Sequence, residues 1–250
     1  MLQVCLNGVR SRSENRRVPV TPEELAVEAA RAAEAGAEDV HLHPRGADGL
    51  DSLEPRAVAE AVGAVRAAVP EGVRVGVTTG AWAVPDPGKR AELIRSWTVL
   101  PDHASVNWHE EGTEAVAEAL LERGIGIEAG VWSGTDGARR FRTWPRAHRV
   151  LRILAEVTDT DPATAASTAT ALLRELGDDL PAPLLLHGED DGAWPVLRTA
   201  AALGLPTRIG LEDVLTLPDG STAQDNAHLV RAAREVLAGH GGDGPGRTRE

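Results

Sequence analysis

The chain has 250 residues, of which 42% are hydrophobic, and its formal net charge is −12. This length suits one eight-fold β/α barrel, and the acidic balance argues against nucleic-acid binding, which needs clustered lysine and arginine. The sequence contains no run of about 18 apolar residues that would predict a membrane span. Cys5 is the only cysteine, and the N-terminus lacks a signal peptide's long apolar stretch, so we expect a cytoplasmic protein without disulfides.

Short apolar runs alternate with alanine-rich helical patterns along the chain. In chain order, the predicted strands are 2–6, 39–43, 73–78, 104–108, 124–128, 150–157, 183–187 and 207–210. The predicted helices are 22–35, 54–69, 89–97, 114–123, 162–176, 193–203 and 227–238, with a weaker candidate at 137–143. This alternation is typical of parallel β/α units. We therefore predict an α/β fold with a single (β/α)8 TIM barrel as the catalytic domain at 1–240, followed by a disordered tail at 241–250.

The second predicted strand ends in the sequence VHLHPR. Side chains alternate along a strand, so His41 and His43 share one face while Leu42 faces the outer helices. Active sites of β/α barrels lie at the C-terminal ends of the strands. Two imidazoles about 6–7 Å apart at that mouth can share a tetrahedral metal ion. The alternative interpretation is a pair of histidines hydrogen-bonded inside a polar barrel.

Lysine is almost absent, since Lys89 in the polar stretch PDPGKRAE is the only one. A Schiff-base aldolase, a pyridoxal-phosphate enzyme or a Walker-type phosphate site each needs a well-placed lysine. A flexible Gly-Lys-Arg segment at a helix start is a poor place for it. Carbon–carbon bond chemistry in this chain would therefore need a metal ion instead.

Polar side chains also end the predicted third, fourth and fifth strands. Thr78 ends the third strand, Ser105 and Asn107 share one face of the fourth, and Glu128 ends the fifth. Each is a weak signal alone, because a strand-end threonine or asparagine is more often a turn former. Their common position at the barrel mouth makes them candidates for substrate contact.

The eighth predicted strand and its continuation read TRIGLED. Arg208 inside a short barrel strand is costly unless it pairs with an anion. Glu212 and Asp213 then provide one candidate metal ligand and one candidate base. The alternative is an ordinary pair of acids at a helix start with a solvated arginine. His187, at the end of the seventh strand, is the rival for third metal ligand.

Five stretches of the sequence, in chain order, resemble the β-keto acid cleavage enzymes, typified by 3-keto-5-aminohexanoate cleavage enzyme. They are PVTPEELAVEAARAAEAGAEDVHLHPRG, VTTG, ASVN, GIGIEAG and TRIGLEDVLTLPDGSTAQDNAHLVRAAREV. The H-x-H-x-R and R-x-G-x-E-D elements are specific as a pair. The resemblance implies a β/α barrel with one Zn²⁺, assembled as a homo-oligomer that is usually a tetramer. It also implies a retro-Claisen-type exchange, in which a β-keto acid and acetyl-CoA give acetoacetate and a new acyl-CoA.

The resemblance further implies roles for individual residues. The matching positions are His41, His43 and Glu212 for the zinc ligands, Asp213 and Arg208 for the catalytic acid/base and its partner, Thr78 for a catalytic hydroxyl, and Glu128 with Ser105 or Asn107 for the substrate site. The chemistry agrees with this set, because chelation of a β-keto acid by zinc acidifies its C2 proton and a nearby carboxylate can remove it. No lysine is required.

The sequence departs from the family pattern at two places. The segment between Asn107 and Glu114 is shorter than the family's loop, which shapes substrate and subunit contacts. The first strand leads into Arg10, where the type enzyme has a glutamate that meets the amino group of its substrate. An arginine facing the mouth would favour a β-keto acid with an acidic or strongly polar far end. The alternative is that Arg10 turns outward as part of a solvated basic loop.

Two other functions remain open from the sequence. A metal-dependent, amidohydrolase-like hydrolase also uses an H-x-H pair. Such barrels carry the pair on the first strand and add histidines at the ends of strands five and six, unlike this sequence. A non-catalytic barrel that binds a metabolite is the other alternative, and it predicts neither stoichiometric metal nor acyl-CoA turnover.

Overall fold

The computed structural model describes residues 1–240, and the tail predicted at 241–250 lies outside the described residues. Within residues 1–240, eight strands alternate with eight helices. The strands are β1 (Leu2–Cys5), β2 (Asp39–Leu42), β3 (Arg74–Thr78), β4 (His103–Asn107), β5 (Gly126–Trp132), β6 (Arg152–Val157), β7 (Leu184–Gly188) and β8 (Thr207–Ile209). The helices are α1 (Pro22–Glu34), α2 (Pro55–Ala68), α3 (Pro87–Ser96), α4 (Thr113–Glu122), α5 (Gly137–Thr143), α6 (Ala165–Leu176), α7 (Ala193–Ala202) and α8 (Asn226–His240).

The strands form one parallel ring. β1 pairs with β2 on one side and with β8 on the other, and parallel pairing continues from β2 to β7. Between β7 and β8, the Leu186 N–H donates to the Pro206 carbonyl at 3.0 Å, and Thr207 Oγ1 donates to the Leu186 carbonyl at 2.8 Å. These two bonds complete the ring, which confirms the predicted (β/α)8 barrel.

Local sequence explains where the first helix begins. The Thr21 side chain accepts a hydrogen bond from the Glu24 N–H, the Glu24 carboxylate accepts one from the Thr21 N–H, and Pro22 occupies the first turn. Such a cap stabilises a helix by about 1 kcal/mol. The helix then buries Leu25 and Ala29 in the hydrophobic core. None of the described helices has the length and apolar character needed to cross a membrane.

Strand alternation decides which side chains reach the barrel interior. Val40 and Leu42 of β2 belong to the hydrophobic core, which the outer helices also join. His41 and His43 therefore take the opposite face, and both are buried. The alternation predicted for this strand places the two imidazoles on the inner side.

A layer of polar and charged side chains lies inside the barrel, below its mouth. Arg152 donates to Asp39 at 2.7 Å and to Glu128 at 2.5 Å, and Gln3 donates to the same two carboxylates. His103 Nε2 lies 2.8 Å from Asp39 Oδ1. All five side chains are buried. Because buried charges are costly unless paired, the ion pairs of Arg152 with Asp39 and Glu128 are what allow the layer to exist.

The fifth strand is longer than predicted and starts later. It runs from Gly126 to Trp132, whereas the sequence pattern predicted an end at Glu128. Ala129 and Gly130 resemble a turn in the sequence, but in the structure both continue the pairing with β4. Glu128 therefore lies within the strand, below the mouth, and not at the strand's end.

Candidate active site

One pocket, with a cavity volume of about 170 Å³, opens among the C-terminal ends of the strands. Every site residue predicted from the sequence, except Glu128 and Arg10, lines it. Its lining comprises Val9, His41, His43, Thr78, Trp82, Ser105, Asn107, Trp132, Leu154, Glu156, Glu189, Arg208, Glu212 and Asp213. Side chains from distant parts of the chain therefore converge on one cavity, as expected for a barrel active site.

His41, His43 and Glu212 form a cluster with the spacing of a metal site. Glu212 Oε2 lies 3.9 Å from His41 Nε2 and 3.7 Å from His43 Nε2. One ligand atom from each residue lies within 4.8 Å of the other two. Glu212 Oε2 is buried and has no hydrogen-bond partner among the described residues. Two imidazoles and one free carboxylate oxygen fit a divalent ion and leave a position open for substrate.

The buried layer of Asp39, His103 and Glu128 has similar spacing but different chemistry. Arg152 already donates to both carboxylates, at 2.7 Å to Asp39 and 2.5 Å to Glu128. The Arg152 guanidinium therefore already supplies the positive charge that a metal ion would bring to these carboxylates. Of the two clusters with metal-like spacing in the described part of the chain, the one at the mouth is the better metal site.

The two mouth histidines differ in their electrostatic environment. Burial lowers the pKa of His41 to about 4, against the raising effect of the Glu212 carboxylate. Burial alone would lower the pKa of His43 as well, but the carboxylates of Glu212 and Asp51 raise it to about 9. A bound divalent ion would replace a proton at this position, because a histidine ligand binds metal through an unprotonated nitrogen.

Arg208 organises the acidic side of the pocket. Its Nη2 donates to Asp213 Oδ1 at 2.8 Å and to Glu212 Oε1 at 3.2 Å, and its Nε donates to His187 Nδ1 at 3.1 Å. Asp213 Oδ2 is buried and has no hydrogen-bond partner within residues 1–240. Burial raises the pKa of Asp213, Arg208 lowers it, and the nearby Glu212 raises it again, with a net upward shift. Asp213 thus presents one free oxygen with increased proton affinity, which suits a general base.

Hydroxyl and amide groups line the opposite side. Thr78 and Ser105 are paired residues of β3 and β4. Thr78 Oγ1 accepts a hydrogen bond from the Gly80 N–H at 3.1 Å, which leaves its own proton free to donate. Asn107 donates to Glu110 at 2.9 Å. This side therefore provides polar groups that can hold carbonyl oxygens of a substrate.

Two predicted site residues lie outside the pocket lining. Glu128 is fully buried below it, with Oε2 3.7 Å from His41 Nδ1. Arg10 is turned towards the protein and is only 15% exposed. Its Nε donates to the Glu212 carbonyl at 2.9 Å, and its Nη2 donates to Asp190. In this structure the Arg10 guanidinium is therefore already bonded to backbone and carboxylate oxygens. It is not free to bind the acidic far end that the sequence predicts for the substrate.

Glu156 and Glu189 line the pocket but were not identified from the sequence. Glu156 is the single acid in β6, and it shares the inner face of the strand with Leu154, two residues earlier. Burial raises its pKa to about 8, and its side chain is 12% exposed. The sequence signal that could have identified Glu156 is a lone acid within an otherwise apolar stretch of a barrel strand. Glu189 follows β7 in a loop and offers no comparable pattern.

A model of the beta-keto acid cleavage enzyme family matches residues 1–243. A 3-keto-5-aminohexanoate cleavage enzyme from Fusobacterium nucleatum subsp. nucleatum is 24% identical over 247 residues, which cover 90% of this chain and 88% of that protein.

Solved structures resemble the chain in fold. Apo ObcA superposes with a TM-score of 0.73 at 19% identity over 90% of this chain, which spans only 62% of the ObcA chain. A ternary complex of ObcA with a C4-CoA adduct and oxalate gives a TM-score of 0.71 at 18% identity, covering 90% of this chain and 64% of that one. Type I 3-dehydroquinate dehydratase from Clostridium difficile gives 0.67 at 11% identity, covering 97% of this chain and 93% of that one.

Proposed function

This chain belongs to the β-keto acid cleavage enzyme family, and on that premise we propose that it is a zinc-dependent acyltransferase that cleaves a β-keto acid with acetyl-CoA. The products are acetoacetate and a new acyl-CoA. The observation that carries this proposal is the position of Asp213. Its unbonded, buried Oδ2 lies in the same pocket as the His41, His43 and Glu212 cluster. A base beside a metal site is the arrangement that C2 deprotonation of a β-keto acid requires.

His41, His43 and Glu212 are the residues that would hold the zinc ion. When bound there, zinc supplies a Lewis acid that withdraws charge from the carboxylate and ketone of a chelated β-keto acid and so acidifies its C2 proton. The unbonded Glu212 Oε2 and its 3.7 and 3.9 Å distances to the two imidazoles support this assignment. The pocket's remaining side chains then bind and orient the two substrates.

Asp213 accepts the C2 proton on Oδ2, while Arg208 holds Oδ1 at 2.8 Å and fixes the orientation of the carboxylate. The C2 carbanion attacks the carbonyl carbon of acetyl-CoA, and the C–S bond breaks to release the thiolate. The thiolate attacks the original ketone carbon of the diketone, and the bond from that carbon to C2 breaks. Asp213 returns its proton to C2. Arg208 also stabilises the negative charge that develops on oxygen during these steps.

Thr78, Ser105 and Asn107 are proposed to bind the carbonyl oxygens of the substrates, since their polar groups line the pocket side opposite the carboxylates. ObcA, a similar barrel, has been solved with a C4-CoA adduct, which supports the choice of a CoA thioester. We assign a supporting role to Glu128 and Arg10, because neither lines the pocket. Assembly into a homo-oligomer stays a prediction from the sequence resemblance.

The proposal is tested by incubating the zinc-loaded protein with acetyl-CoA and a panel of β-keto acids, with mass spectrometry of the CoA esters. We expect acetoacetate together with one new acyl-CoA whose mass follows the keto acid supplied. Asp213→Asn is the matched control, since it keeps the shape of the side chain but removes the proton acceptor. Release of free acids without a new acyl-CoA would indicate a hydrolase, and absence of any turnover across the panel would indicate a binding protein.

A further inference from the structure

Both histidines of the metal cluster turn one ring nitrogen towards Glu212 and the other towards a second carboxylate. His43 Nε2 faces Glu212 Oε2 at 3.7 Å, while its Nδ1 lies 2.7 Å from Asp51 Oδ2. His41 Nε2 faces the same Glu212 oxygen at 3.9 Å, while its Nδ1 lies 3.7 Å from Glu128 Oε2. The cluster is therefore backed by one carboxylate behind each imidazole.

We propose that Asp51 and Glu128 are positioning residues of the metal site, which hold the rings of His43 and His41 with Nε2 directed at the ion. This inference rests on the proposed metal site and assigns residues behind it. A carboxylate that accepts the second ring N–H of a metal-binding histidine fixes the ring's tautomer and orientation and makes the ligand nitrogen more basic. Nε2 of each histidine is then directed at Glu212, where a metal ion would bind.

Asp51 is held rigidly enough to perform this role. Arg45 Nη1 pairs with Asp51 Oδ1 at 2.6 Å, and the two residues form a backbone β-bridge. Trp82 Nε1 donates to Asp51 Oδ2 at 2.7 Å. The Trp82 ring also stacks on His43, with 5.9 Å between ring centroids and 13° between planes. The His43 imidazole is thus held at its edge by Asp51 and on its face by Trp82.

Glu128 is held from below by the buried charged layer. Arg152 Nε donates to Glu128 Oε1 at 2.5 Å, and Gln3 Nε2 donates to the same oxygen at 2.9 Å. Oε2 is left without a hydrogen bond within residues 1–240, although His103 Nδ1 lies 3.1 Å away. His41 Nδ1 is likewise buried without a bonded partner. The free oxygen of Glu128 therefore lies between two imidazole nitrogens without hydrogen bonds, His103 Nδ1 and His41 Nδ1.

The two contacts differ in length, and this difference predicts their relative importance. The 2.7 Å contact of Asp51 is a hydrogen bond, whereas the 3.7 Å contact of Glu128 is longer than one and acts through charge. Loss of such a residue behind a metal ligand typically weakens metal affinity about 10- to 100-fold. We expect Asp51→Asn to lie within that range and Glu128→Gln to weaken zinc binding less.

The experiment measures the zinc dissociation constant of the full chain by competition with a chromogenic chelator, with circular dichroism to verify folding. Cobalt substitution gives a second readout, because the visible spectrum reports ligand geometry directly. Glu110→Gln is the matched control: it removes a buried carboxylate that pairs with Arg90 and contacts neither histidine. We expect the control to keep the wild-type zinc affinity and cobalt spectrum, while Asp51→Asn loses affinity and shifts the spectrum.

An Asp51→Asn variant that folds and binds zinc as tightly as the control overturns the inference. Glu128→Gln leaves Arg152 short of a partner, so Glu128→Gln combined with Arg152→Met is the second variant if the single change fails to fold. A wild-type chain that binds no zinc overturns the metal assignment itself. Zinc binding without acyl-CoA formation overturns only the proposed reaction. The zinc affinities of the variants then still decide whether Asp51 and Glu128 position the two histidines.

Discussion

Arg208 Nη2 lies 2.8 Å from Asp213 Oδ1, while the second oxygen of Asp213 is buried without a hydrogen bond. One guanidinium therefore holds half of this carboxylate and leaves the other half available. The arginine orients the aspartate, but burial outweighs its charge and raises the pKa of Asp213 to about 7, so the carboxylate has an increased affinity for a proton.

Asp213→Asn should lower turnover at least about 100-fold, since removal of a general base costs 10²- to 10⁴-fold. Zinc content should stay at one ion per chain, because His41, His43 and Glu212 are unchanged. Steady-state kinetics and atomic absorption on the same sample measure both quantities. Near wild-type turnover of Asp213→Asn would contradict the assignment of the base. In Glu212→Ala, by contrast, zinc and turnover should fall together.

Replacing both His41 and His43 by alanine should abolish most zinc binding, because only the Glu212 carboxylate then remains of the predicted ligands. The matched control is His228→Ala, which removes a histidine of α8 outside the pocket. Zinc content after dialysis measures the effect. Full retention of zinc in the double variant would falsify the site.

Much of this site follows from sequence because strand alternation is a strong constraint. His41 and His43 lie two residues apart on one strand, so any barrel that places Leu42 outward must place both histidines inward. The R-x-G-x-E-D element likewise keeps Arg208 within reach of Glu212 and Asp213, since only a short turn separates them. Short separations along the chain make these positions predictable.

The parts that sequence did not predict depend on long-range register or on loop conformation. Glu128 lies below the mouth because β5 continues four residues beyond it, and that length depends on pairing with β4 and β6. Asp51 reaches His43 through the conformation of the loop after β2, which its bridge with Arg45 stabilises. No periodicity in the sequence encodes either arrangement.

Glu156 should make stability depend on pH. Burial raises its pKa from 4.5 to about 8 in the folded state, so the folded protein keeps this carboxyl neutral while the unfolded chain ionises. Its contribution to stability is fully present below about pH 4.5 and is lost as the pH rises to about 8. Within this window, wild type should lose up to about 1.4 kcal/mol per pH unit relative to Glu156→Gln.

Urea denaturation of both proteins at a series of pH values, with metal removed by a chelator, measures this difference. Glu156→Gln leaves the neighbouring Glu189, Glu212 and Asp213 in place, and the comparison cancels the titrating groups that do not interact with Glu156. A stability difference that stays constant from pH 5 to pH 8 would mean that Glu156 is ionised in the folded protein. The carboxyl would then be available as a second base.

Arg10 lies in the loop after β1, and its side chain is mostly buried. Its Nε donates to the Glu212 carbonyl at 2.9 Å, and its Nη2 pairs with Asp190, so it braces the segment that carries Glu212 and Asp213. We therefore expect Arg10→Gln to lower kcat/KM by the same factor for a keto diacid and for a neutral keto acid of similar length. Loss of charge-assisted hydrogen bonds worth about 1.5–3 kcal/mol corresponds to roughly a 10- to 150-fold decrease.

Arg12→Gln is the matched control, because Arg12 belongs to the same loop but pairs with Glu24 on the surface at 50% exposure. It should leave kcat/KM unchanged for both substrates. A decrease confined to the diacid in Arg10→Gln would mean that the guanidinium leaves Asp190 and binds the far carboxylate of the substrate, as the sequence alone suggested. Equal decreases would mean that far-end specificity comes from groups that line the pocket, with Glu189 and Trp132 the next residues to replace.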